Sequence, residues 1–437
     1  MLRTQAYQTI LKVLKDNAFS DTLLHQKAKR LKNNRENLAL FYNMVKGVVK
    51  LKGKLDYILS QYADPVKFKN TDLKIKVWLY LGLYQLLYLD SIPAHAAINE
   101  TVELAKNMLG DKVGDFVNAI LRAWQRDPNV TWPSDPIERI ASEHSYPPDL
   151  IKDWIELWGE EDAEYLAIWF NENPTLHLRV NQVATTQQKL IQYFAKRDTV
   201  LTPSPVGRMS LLADKAETVL DDVAFSEGYF SVQDTSSSLV VELLDPQKDE
   251  NILDLFAAPG GKCTYIAEIM ENTGEIVAVD KIPNKMKLLK QAATRLQLTN
   301  IKMVVSDAFS YGPVAPAYDR VLVDAPCSGW GVFGRKADLR WQARHDIPQL
   351  IKIQERALDQ AANFVRSEGV MVYSTCTMNP EENQRQVEKF LARNPRFSLL
   401  DAAQHIPRDL VSDGMFRSLP FRHNMDGAFA AKMIKRS

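Results

Sequence analysis

The C-terminal part of the chain, residues 245–437, alternates short apolar segments with segments of helical periodicity. This alternation constrains the fold most, because repeated strand–helix units build parallel sheets through right-handed crossovers. The apolar segments are rich in β-branched residues, as buried parallel strands are. We therefore expect an α/β, Rossmann-like, doubly wound sheet with a ligand crevice outside the carboxyl ends of its strands. The predicted strands are Asn251–Leu255, Glu275–Asp280, Ile301–Asp307, Asp319–Asp324, Val370–Thr375, Phe397–Leu400 and Ala428–Ile434.

The first part of the chain, residues 1–130, has helical periodicity instead. Apolar residues recur at helical spacing in segments 73–89, 98–105 and 113–124, without the alternation that is typical of strands. This pattern predicts an all-α domain.

The residues between these two parts combine both patterns. A proline-rich stretch near residues 127–136 is typical of a linker. Beyond it, helices are predicted at 148–169 and 187–195, and strands at 175–180 and 228–232. We therefore expect a linker and a small α+β module, so that the chain has three parts: 1–130, 140–244 and 245–437.

Charge is distributed unevenly along the chain. The formal net charge is zero, yet it is +8 over residues 1–130, −13 over 131–250 and +5 over 251–437. The zero total argues against a uniformly basic nucleic-acid binder. The basic first part is the one best suited to a polyanion. A solvated lysine-rich surface is the alternative interpretation of the same charge.

The three cysteines, Cys263, Cys327 and Cys376, form no disulfide framework, because their number is small and odd. The N-terminal residues lack the apolar core of a signal peptide. The longest apolar run, residues 77–89, falls short of the roughly 18 residues that a membrane span needs. These features predict a cytoplasmic protein.

A glycine-containing loop, Asp254–Lys262, follows the first predicted strand and opens a helix. Glycines at this place allow close approach of a ligand to the backbone. The loop is not a nucleotide-phosphate loop of the Walker type, because Phe256 stands where its first Gly belongs and Cys263 where Ser or Thr should bind magnesium. It also lacks the Gly-x-Gly-x-x-Gly pattern of dinucleotide sites.

Three aspartates are predicted to end consecutive strands. A carboxylate at Asp280 can accept the hydroxyls of a ribose, Asp307 lies where an adenine amino group is expected, and Asp324 ends the fourth strand. Together with the glycine loop they fit an adenosine without a pyrophosphate, and S-adenosylmethionine suits that description better than NAD. The alternative is that such aspartates only cap the following helices.

Two of the three cysteines follow neighbouring strands. Cys327 comes after the fourth predicted strand and Cys376 after the fifth, so both are expected at the ligand crevice. A thiolate that adds to carbon 6 of a pyrimidine makes carbon 5 nucleophilic enough to accept a methyl group. An acidic group near N3 stabilises the charge that develops, and the base must leave its stack to reach such a site. Spacing alone does not distinguish the roles of the two cysteines.

Several segments resemble a known family, the RNA cytosine-C5 methyltransferases. The similar segments in the C-terminal part are Ala257–Lys262, Asp324–Gly329 and Thr375–Asn383. In the first part, segments resembling the NusB-like domain of one branch of that family are Gly82–Tyr88, Ile92–Val102 and Val117–Arg122. The resemblance covers nearly the whole chain. It implies S-adenosylmethionine-dependent formation of 5-methylcytosine in 16S ribosomal RNA.

The resemblance also implies roles by matching position. Cys376 is the expected nucleophile, Cys327 the thiol that helps to release methylated RNA, and Asp324 a further catalytic group. The first part of the chain, residues 1–130, and the small α+β module within residues 140–244 are both expected to bind RNA, with Lys50, Lys52 and Lys54 contributing charge. The loop Gly331–Trp341 is expected to touch RNA as well. The expected cofactor-binding residues are Phe256, Ala257, Ala258, Pro259, Gly260, Gly261, Lys262, Asp280, Asp307 and Asp324.

The expected partner is 16S rRNA or an assembling small subunit, without a membrane or an obligate protein partner. No metal is expected, because no Cys/His cluster has ligand spacing. Three alternatives are open: a methyltransferase acting on transfer RNA or on another rRNA cytosine, a non-catalytic NusB-like assembly factor, and an NAD-dependent oxidoreductase. The last would leave both cysteines without a role.

Overall fold

The computed structural model describes residues 2–16, 18–31, 35–172, 174–312, 318–342 and 346–437. It consists of two compact units. Unit 1 comprises Met1–Glu172 together with Phe333–Arg344, and unit 2 comprises Asn173–Val332 together with His345–Ser437.

Unit 1 is helical. Its core forms around α5, whose residues 77–85 are all buried, and the predicted helix at 73–89 is thereby confirmed. Its helices are α1 (Leu2–Asp16), α2 (Ser20–Leu31), α3 (Arg35–Ser60), α4 (Pro65–Lys69), α5 (Leu73–Tyr88), α6 (Ala94–Leu109), α7 (Asp111–Arg126), α8 (Pro136–His144), α9 (Pro148–Trp158) and α10 (Glu160–Asn171).

The helical stretch predicted at 148–169 is confirmed as two helices, α9 and α10, which are separated at Gly159. This glycine has φ +84°, a left-handed conformation that ends helices and that side chains disfavour. Three acidic residues, Glu160, Glu161 and Asp162, then start α10, where the helix dipole favours negative charge.

A segment from the C-terminal half of the chain, Phe333–Gln342, is built into unit 1 and contains the short helix α17 (Leu339–Gln342). Arg340 is 2% exposed and donates hydrogen bonds to Phe170 O (2.9 Å) and Asn171 Oδ1 (2.7 Å). Trp341 Nε1 donates to the carbonyl oxygen of Val49 at 2.9 Å. These side chains hold the segment within unit 1, so the expectation of RNA contact does not extend to them.

Unit 2 contains a nine-stranded mixed sheet of order β11-β12-β13-β9-β8-β5-β6-β7, with β10 paired to β13. Strands β7, β6, β5, β8 and β9 are parallel, whereas β10 to β13 run antiparallel to their neighbours. The strands are β5 (Asn251–Leu255), β6 (Glu275–Asp280), β7 (Ile301–Val305), β8 (Tyr318–Asp324), β9 (Val365–Thr375), β10 (Phe397–Leu400), β11 (Val411–Ser412), β12 (Met415–Ser418) and β13 (Ala428–Lys435).

A second, antiparallel sheet of order β2-β3-β1-β4 belongs to the same unit. Its strands are β1 (Leu176–Val180), β2 (Leu201–Pro203), β3 (Ser210–Ala213) and β4 (Phe230–Val232). The helices of unit 2 are α11 (Gln187–Ala195), α12 (Ala216–Leu220), α13 (Val223–Ser226), α14 (Thr235–Leu244), α15 (Gly261–Ile269), α16 (Pro283–Arg295), α18 (Ile347–Ala362), α19 (Gln384–Arg393) and α20 (Pro420–His423). Within the described ranges, no helix is both long and apolar enough to cross a membrane.

Candidate active site

The order of the parallel strands reverses at β5, which lies between β6 and β8. Ligands of open α/β sheets bind at such a switch point, outside the carboxyl ends of the strands. Residues 256–260 connect β5 to α15, whose first two residues are Gly261 and Lys262, while Asp280 ends β6 and Asp324 ends β8. Asp307 lies two residues beyond β7, since that strand ends at Val305 and not at Asp307 as predicted.

The two cysteines meet at the ends of neighbouring strands. Because β8 and β9 are parallel with Asp324 opposite Ser374, the loops that follow these strands start side by side. Cys327 Sγ lies 3.3 Å from Cys376 Sγ. This contact and the burial of the thiol raise the pKa of Cys327 well above its ordinary value. A thiol whose pKa is raised stays protonated at neutral pH.

A polar chain lies beside the thiols. Lys262 Nζ forms an ion pair with Asp324 Oδ2 at 2.7 Å, and Ser374 Oγ donates to Asp324 Oδ1 at 2.8 Å. Burial would lower the pKa of Lys262, but the charges of Asp324, Cys376 and Asp254 outweigh it and raise that pKa. The ammonium group therefore stays protonated beside the carboxylate of Asp324. The sequence placed Lys262 only among the cofactor-binding residues.

Glu382 ties the Cys327 loop to the segment that follows Cys376. This carboxylate is fully buried and accepts hydrogen bonds from Ser328 N (2.9 Å), Ser328 Oγ (2.5 Å) and Gln354 Nε2 (3.0 Å). Ser328 Oγ also lies 2.8 Å from Thr377 Oγ1, one residue beyond Cys376. The sequence signalled this residue only as part of the motif after Cys376 and gave it no role.

Asp280 and Asp307 use their carboxylates to fix the backbone of the loops. Asp280 accepts from Ala258 N (3.2 Å), which lies in the glycine loop, and from Ile282 N (2.8 Å). Asp307 Oδ1 accepts from Phe309 N at 2.8 Å. Neither carboxylate caps a following helix, because α16 has no side-chain cap and Asp307 is followed by a turn. The Asp280 bond to Ala258 N instead ties β6 to the glycine loop.

Asp254 is a candidate that the sequence analysis did not single out. It lies near the end of β5, is 1% exposed, and neither of its carboxylate oxygens has a hydrogen-bond partner among the described residues. Burial raises its pKa well above the ordinary value, and the charges of Asp324 and Asp280 add to the effect despite Lys262. A buried carboxyl group without a partner beneath a ligand crevice is rarely left so without a function.

Arg179, on β1 of the small sheet, joins that sheet to the glycine loop. It is fully buried and donates to both carboxylate oxygens of Glu268 (3.0 and 2.7 Å). It also donates to the carbonyl oxygen of Gly261 (2.7 Å) and to Thr264 Oγ1 (3.0 Å). The position of Gly261, the first residue of α15, therefore depends on a side chain from the module that precedes the main sheet. No local pattern in the sequence predicts the contact of Arg179 with Glu268 and Gly261.

A separate cluster in unit 1 brings together Glu143, His144 and Glu164, whose possible ligand atoms lie within 4.8 Å of one another. Arg139 forms ion pairs with both carboxylates, and its contact with Glu164 Oε1 is 2.5 Å long. The guanidinium already neutralises these acids, so the cluster is explained as an ion-pair network.

The fold and the glycine loop define the class of the protein. A sheet with this strand order, with a glycine loop at its switch point that is neither a Walker loop nor a dinucleotide fingerprint, is the fold of S-adenosylmethionine-dependent methyltransferases.

Comparison with known proteins gives the family. Residues 241–434 match the family described as 16S rRNA methyltransferase RsmB/F, and residues 1–126 match the NusB family. The chain is 36% identical over 448 aligned residues to a probable ribosomal RNA small subunit methyltransferase B of Bacillus subtilis, covering 100% of this chain and 99% of the relative. The chain therefore belongs to the RsmB/F family of rRNA methyltransferases and carries an N-terminal NusB domain.

Solved structures agree with this assignment. The crystal structure of PH0851 superposes with a TM-score of 0.82 and 25% identity, over 99% of this chain and 98% of that one. NSun6 from Pyrococcus horikoshii, solved with SFG, superposes with a TM-score of 0.59 and 23% identity, over 67% of this chain and 99% of that one. The superposition on NSun6 supports the fold assignment. The protein is an S-adenosylmethionine-dependent RNA methyltransferase.

Proposed function

We propose that the protein methylates carbon 5 of a cytosine in 16S rRNA through a covalent bond between Cys376 and the base. The observation that carries the proposal is the contact between the two thiols, 3.3 Å apart, beside the Lys262–Asp324 ion pair. A single thiol would suffice for a structural role. Two thiols at adjacent strand ends, with the charge of Cys376 coupled electrostatically to the partly buried ammonium group of Lys262, suit the nucleophile and the proton-transfer group that this reaction needs.

Each group has a defined task in this scheme. The Lys262 ammonium stabilises the thiolate of Cys376, which adds to carbon 6 of the cytosine. Asp324, held by Lys262 and Ser374, faces the polar edge of the ring and stabilises the charge that develops there. Bound S-adenosylmethionine supplies the methyl group that carbon 5 accepts. Elimination follows: a water molecule takes the proton from carbon 5, and the bond between carbon 6 and Cys376 Sγ breaks. The Cys327 thiol, with its raised pKa, donates a proton to the departing sulfur, and the RNA is released.

The cofactor is proposed to lie along the glycine loop. The donor set fits an adenosine: the Asp280 carboxylate suits ribose hydroxyls, and the rings of Phe256 and Phe309, packed edge-to-face at 6.2 Å, offer an apolar wall. A Cβ on Gly261 would come within 3.4 Å only of the Gln233 side chain, so the backbone is open to close approach there. The proposed binding residues are Phe256, Ala257, Ala258, Pro259, Gly260, Gly261, Lys262, Asp280, Asp307 and Asp324.

The proposed substrate is 16S rRNA, free or within an assembling small subunit, and the proposed location is the cytoplasm. The curated relative from Bacillus subtilis supports this choice, because it is described as acting on the RNA of the small subunit. The proposed chemistry requires no metal, since side chains supply both the nucleophile and the charge stabilisation.

Covalent trapping tests the proposal. Wild type, Cys327→Ala and Cys376→Ala are each mixed with S-adenosylmethionine and 16S rRNA, and the products are separated on denaturing gels. We expect a protein–RNA adduct to accumulate in Cys327→Ala only, because methylation proceeds there and release fails. Methyl transfer to cytosine C5 by the wild type is confirmed in parallel by digestion and mass spectrometry.

Other outcomes would revise specific parts of the proposal. An adduct in Cys376→Ala alone would exchange the roles of the two cysteines. Methyl transfer to transfer RNA but not to 16S rRNA would change the substrate. A wild type that is inert on free RNA and on small-subunit precursors would favour a non-catalytic assembly factor.

A further inference from the structure

The helix that follows Asp280, α16, has a strongly basic exposed face. Lys281 precedes it, and Lys285, Lys287 and Lys290 lie on it, all of them exposed. Residues 281–295 contain no acidic residue. None of these four lysines forms an ion pair with another residue that the structure describes. Positive charge on this face is therefore neither buried nor neutralised.

A hollow of about 460 Å³ opens beside this face. It is lined by Ser226, Lys287, Lys290, Gln291, Thr294 and Arg295, every one of which is polar or positively charged. A concave surface of this composition is suited to a compact anion with several acceptor oxygens, and a phosphate group has these properties.

Arg295 gives the hollow a fixed positive group. Its Nη1 atom donates to the carbonyl oxygens of Phe225 (2.6 Å) and Phe230 (2.9 Å), and its guanidinium lies 4.1 Å from the centre of the Phe225 ring. Its Nη2 atom donates to Ser231 Oγ at 3.2 Å. Because these partners are uncharged, they orient Arg295 without cancelling its charge. Two acidic residues of the neighbouring turn have partners of their own: Asp222 is paired with Arg197 at 3.2 Å, and Glu227, which follows Ser226, forms a hydrogen bond with Tyr229.

We propose that the exposed face of α16 and its hollow bind the sugar–phosphate backbone of the RNA substrate. The proposal rests on the function proposed above, because RNA is the polyanion on which the protein acts. It assigns phosphate contacts to unit 2, in addition to those expected from the NusB domain. Phosphate contacts position RNA without reading its sequence, so this surface contributes affinity and orientation rather than choice of cytosine.

A matched pair of triple variants tests the proposal. Lys285→Gln, Lys287→Gln and Lys290→Gln together remove three charges from the face of α16. The control removes three exposed charges elsewhere in unit 2, by Lys352→Gln, Lys389→Gln and Arg396→Gln. A third protein carries Lys→Arg at positions 285, 287 and 290. The affinity for a labelled 16S rRNA fragment is measured over a range of salt concentrations, and S-adenosylmethionine affinity is measured separately.

Log affinity falls as log salt concentration rises, and we expect this fall to be less steep in the α16 variant. The magnitude of the slope should decrease by about 2, at roughly 0.7 per single-strand phosphate contact. The control variant and the Lys→Arg variant should keep the wild-type slope, and cofactor affinity should be unchanged in all three. A wild-type slope in the α16 variant would overturn the proposal, and so would an equal loss in the control.

The failure of this surface can be told apart from the failure of the proposed function. If wild type methylates 16S rRNA while the α16 variant keeps its slope, only the surface assignment is wrong. If wild type neither binds nor methylates 16S rRNA, both proposals fail. Thermal unfolding of each variant shows whether a change in affinity comes from loss of structure.

Discussion

Two groups of lysines that look alike in the sequence differ in their surroundings. Lys50, Lys52 and Lys54 on α3 are at least partly buried, and burial lowers the pKa of each. Lys50 Nζ donates to the carbonyl oxygen of Asn171 at 3.2 Å, whereas Lys52 lies 4.6 Å from the centre of the Trp341 ring. The lysines of α16 are exposed and form no ion pair with any other described residue.

The difference shows that lysine density in the sequence alone does not reveal which lysines are exposed. The charge of +8 in residues 1–130 directed attention to the α3 lysines, yet these side chains stabilise unit 1. Replacing them with Glu would chiefly disturb packing against Trp341 and Trp132, the ring that Lys54 faces at 5.6 Å. The NusB domain can still bind RNA through other residues, but those three are poor probes of it.

The largest effect is expected at Arg179, where a charge is buried more completely than on α3. Arg179→Ala leaves the Glu268 carboxylate buried without its partner, and we expect a loss of about 3–5 kcal/mol in the free energy of unfolding. Urea denaturation measures this loss. The double variant Arg179→Met, Glu268→Leu should recover most of it, because no buried charge remains. A single variant as stable as wild type would show that the pair is not buried in solution.

Substitution of Lys262 tests whether the lysine that pairs with Asp324 has a catalytic role rather than a structural one. Lys262→Met removes the positive charge beside Cys376 and Asp324, and we expect kcat to fall by about 10²–10³-fold. Lys389→Met, an exposed substitution in the same unit, should leave kcat unchanged. Single-turnover methyl transfer at saturating RNA and cofactor measures the chemical step. An unchanged kcat in Lys262→Met would restrict Lys262 to cofactor binding.

The smallest effect is expected in the contribution of Lys50 to the pH dependence of the free energy of unfolding. Burial, with Arg340 and Lys46 nearby, lowers its pKa from 10.5 to about 8. Between these two values the unfolded chain binds more protons than the folded one, so the free energy of unfolding rises with pH. After allowance for partial exposure, we expect this rise to be about 1 kcal/mol.

The measurement compares wild type with Lys50→Met by urea denaturation from pH 7 to pH 10.5. As the pH rises, the unfolding free energy of wild type should increase relative to that of Lys50→Met. A difference that stays flat across this pH range would contradict the burial of the Lys50 ammonium group.

Prediction from sequence succeeded where burial is uniform along an element. The bounds of β5 and β6 agree with the predicted ones, because their inner residues are almost all buried and their apolar runs end sharply. Strands β2, β3, β11 and β12 were not predicted. They have two to four residues each, too few to show a period.

The site was predictable in its parts rather than in its connections. The two cysteines were identified because each follows a predicted strand, and Asp324 was identified because it ends one. Glu382 was not assigned a role, because its hydrogen bonds join residues 54 positions apart, Ser328 and Glu382. Arg179 and Glu268 are separated by 89 positions, and neither belongs to a motif that signals the other.

The sequence by itself determined the class of fold, the NusB-like domain, the glycine loop and the strand ends that carry Asp324 and the two cysteines. These features depend on local periodicity and on short motifs, which involve only residues that are close together in the chain. Only the tertiary structure decided which charges are buried, which thiols meet, and that Phe333–Gln342 belongs to unit 1. The physical reason is that desolvation and hydrogen bonding depend on distances between groups far apart in the chain, and no local pattern encodes those distances.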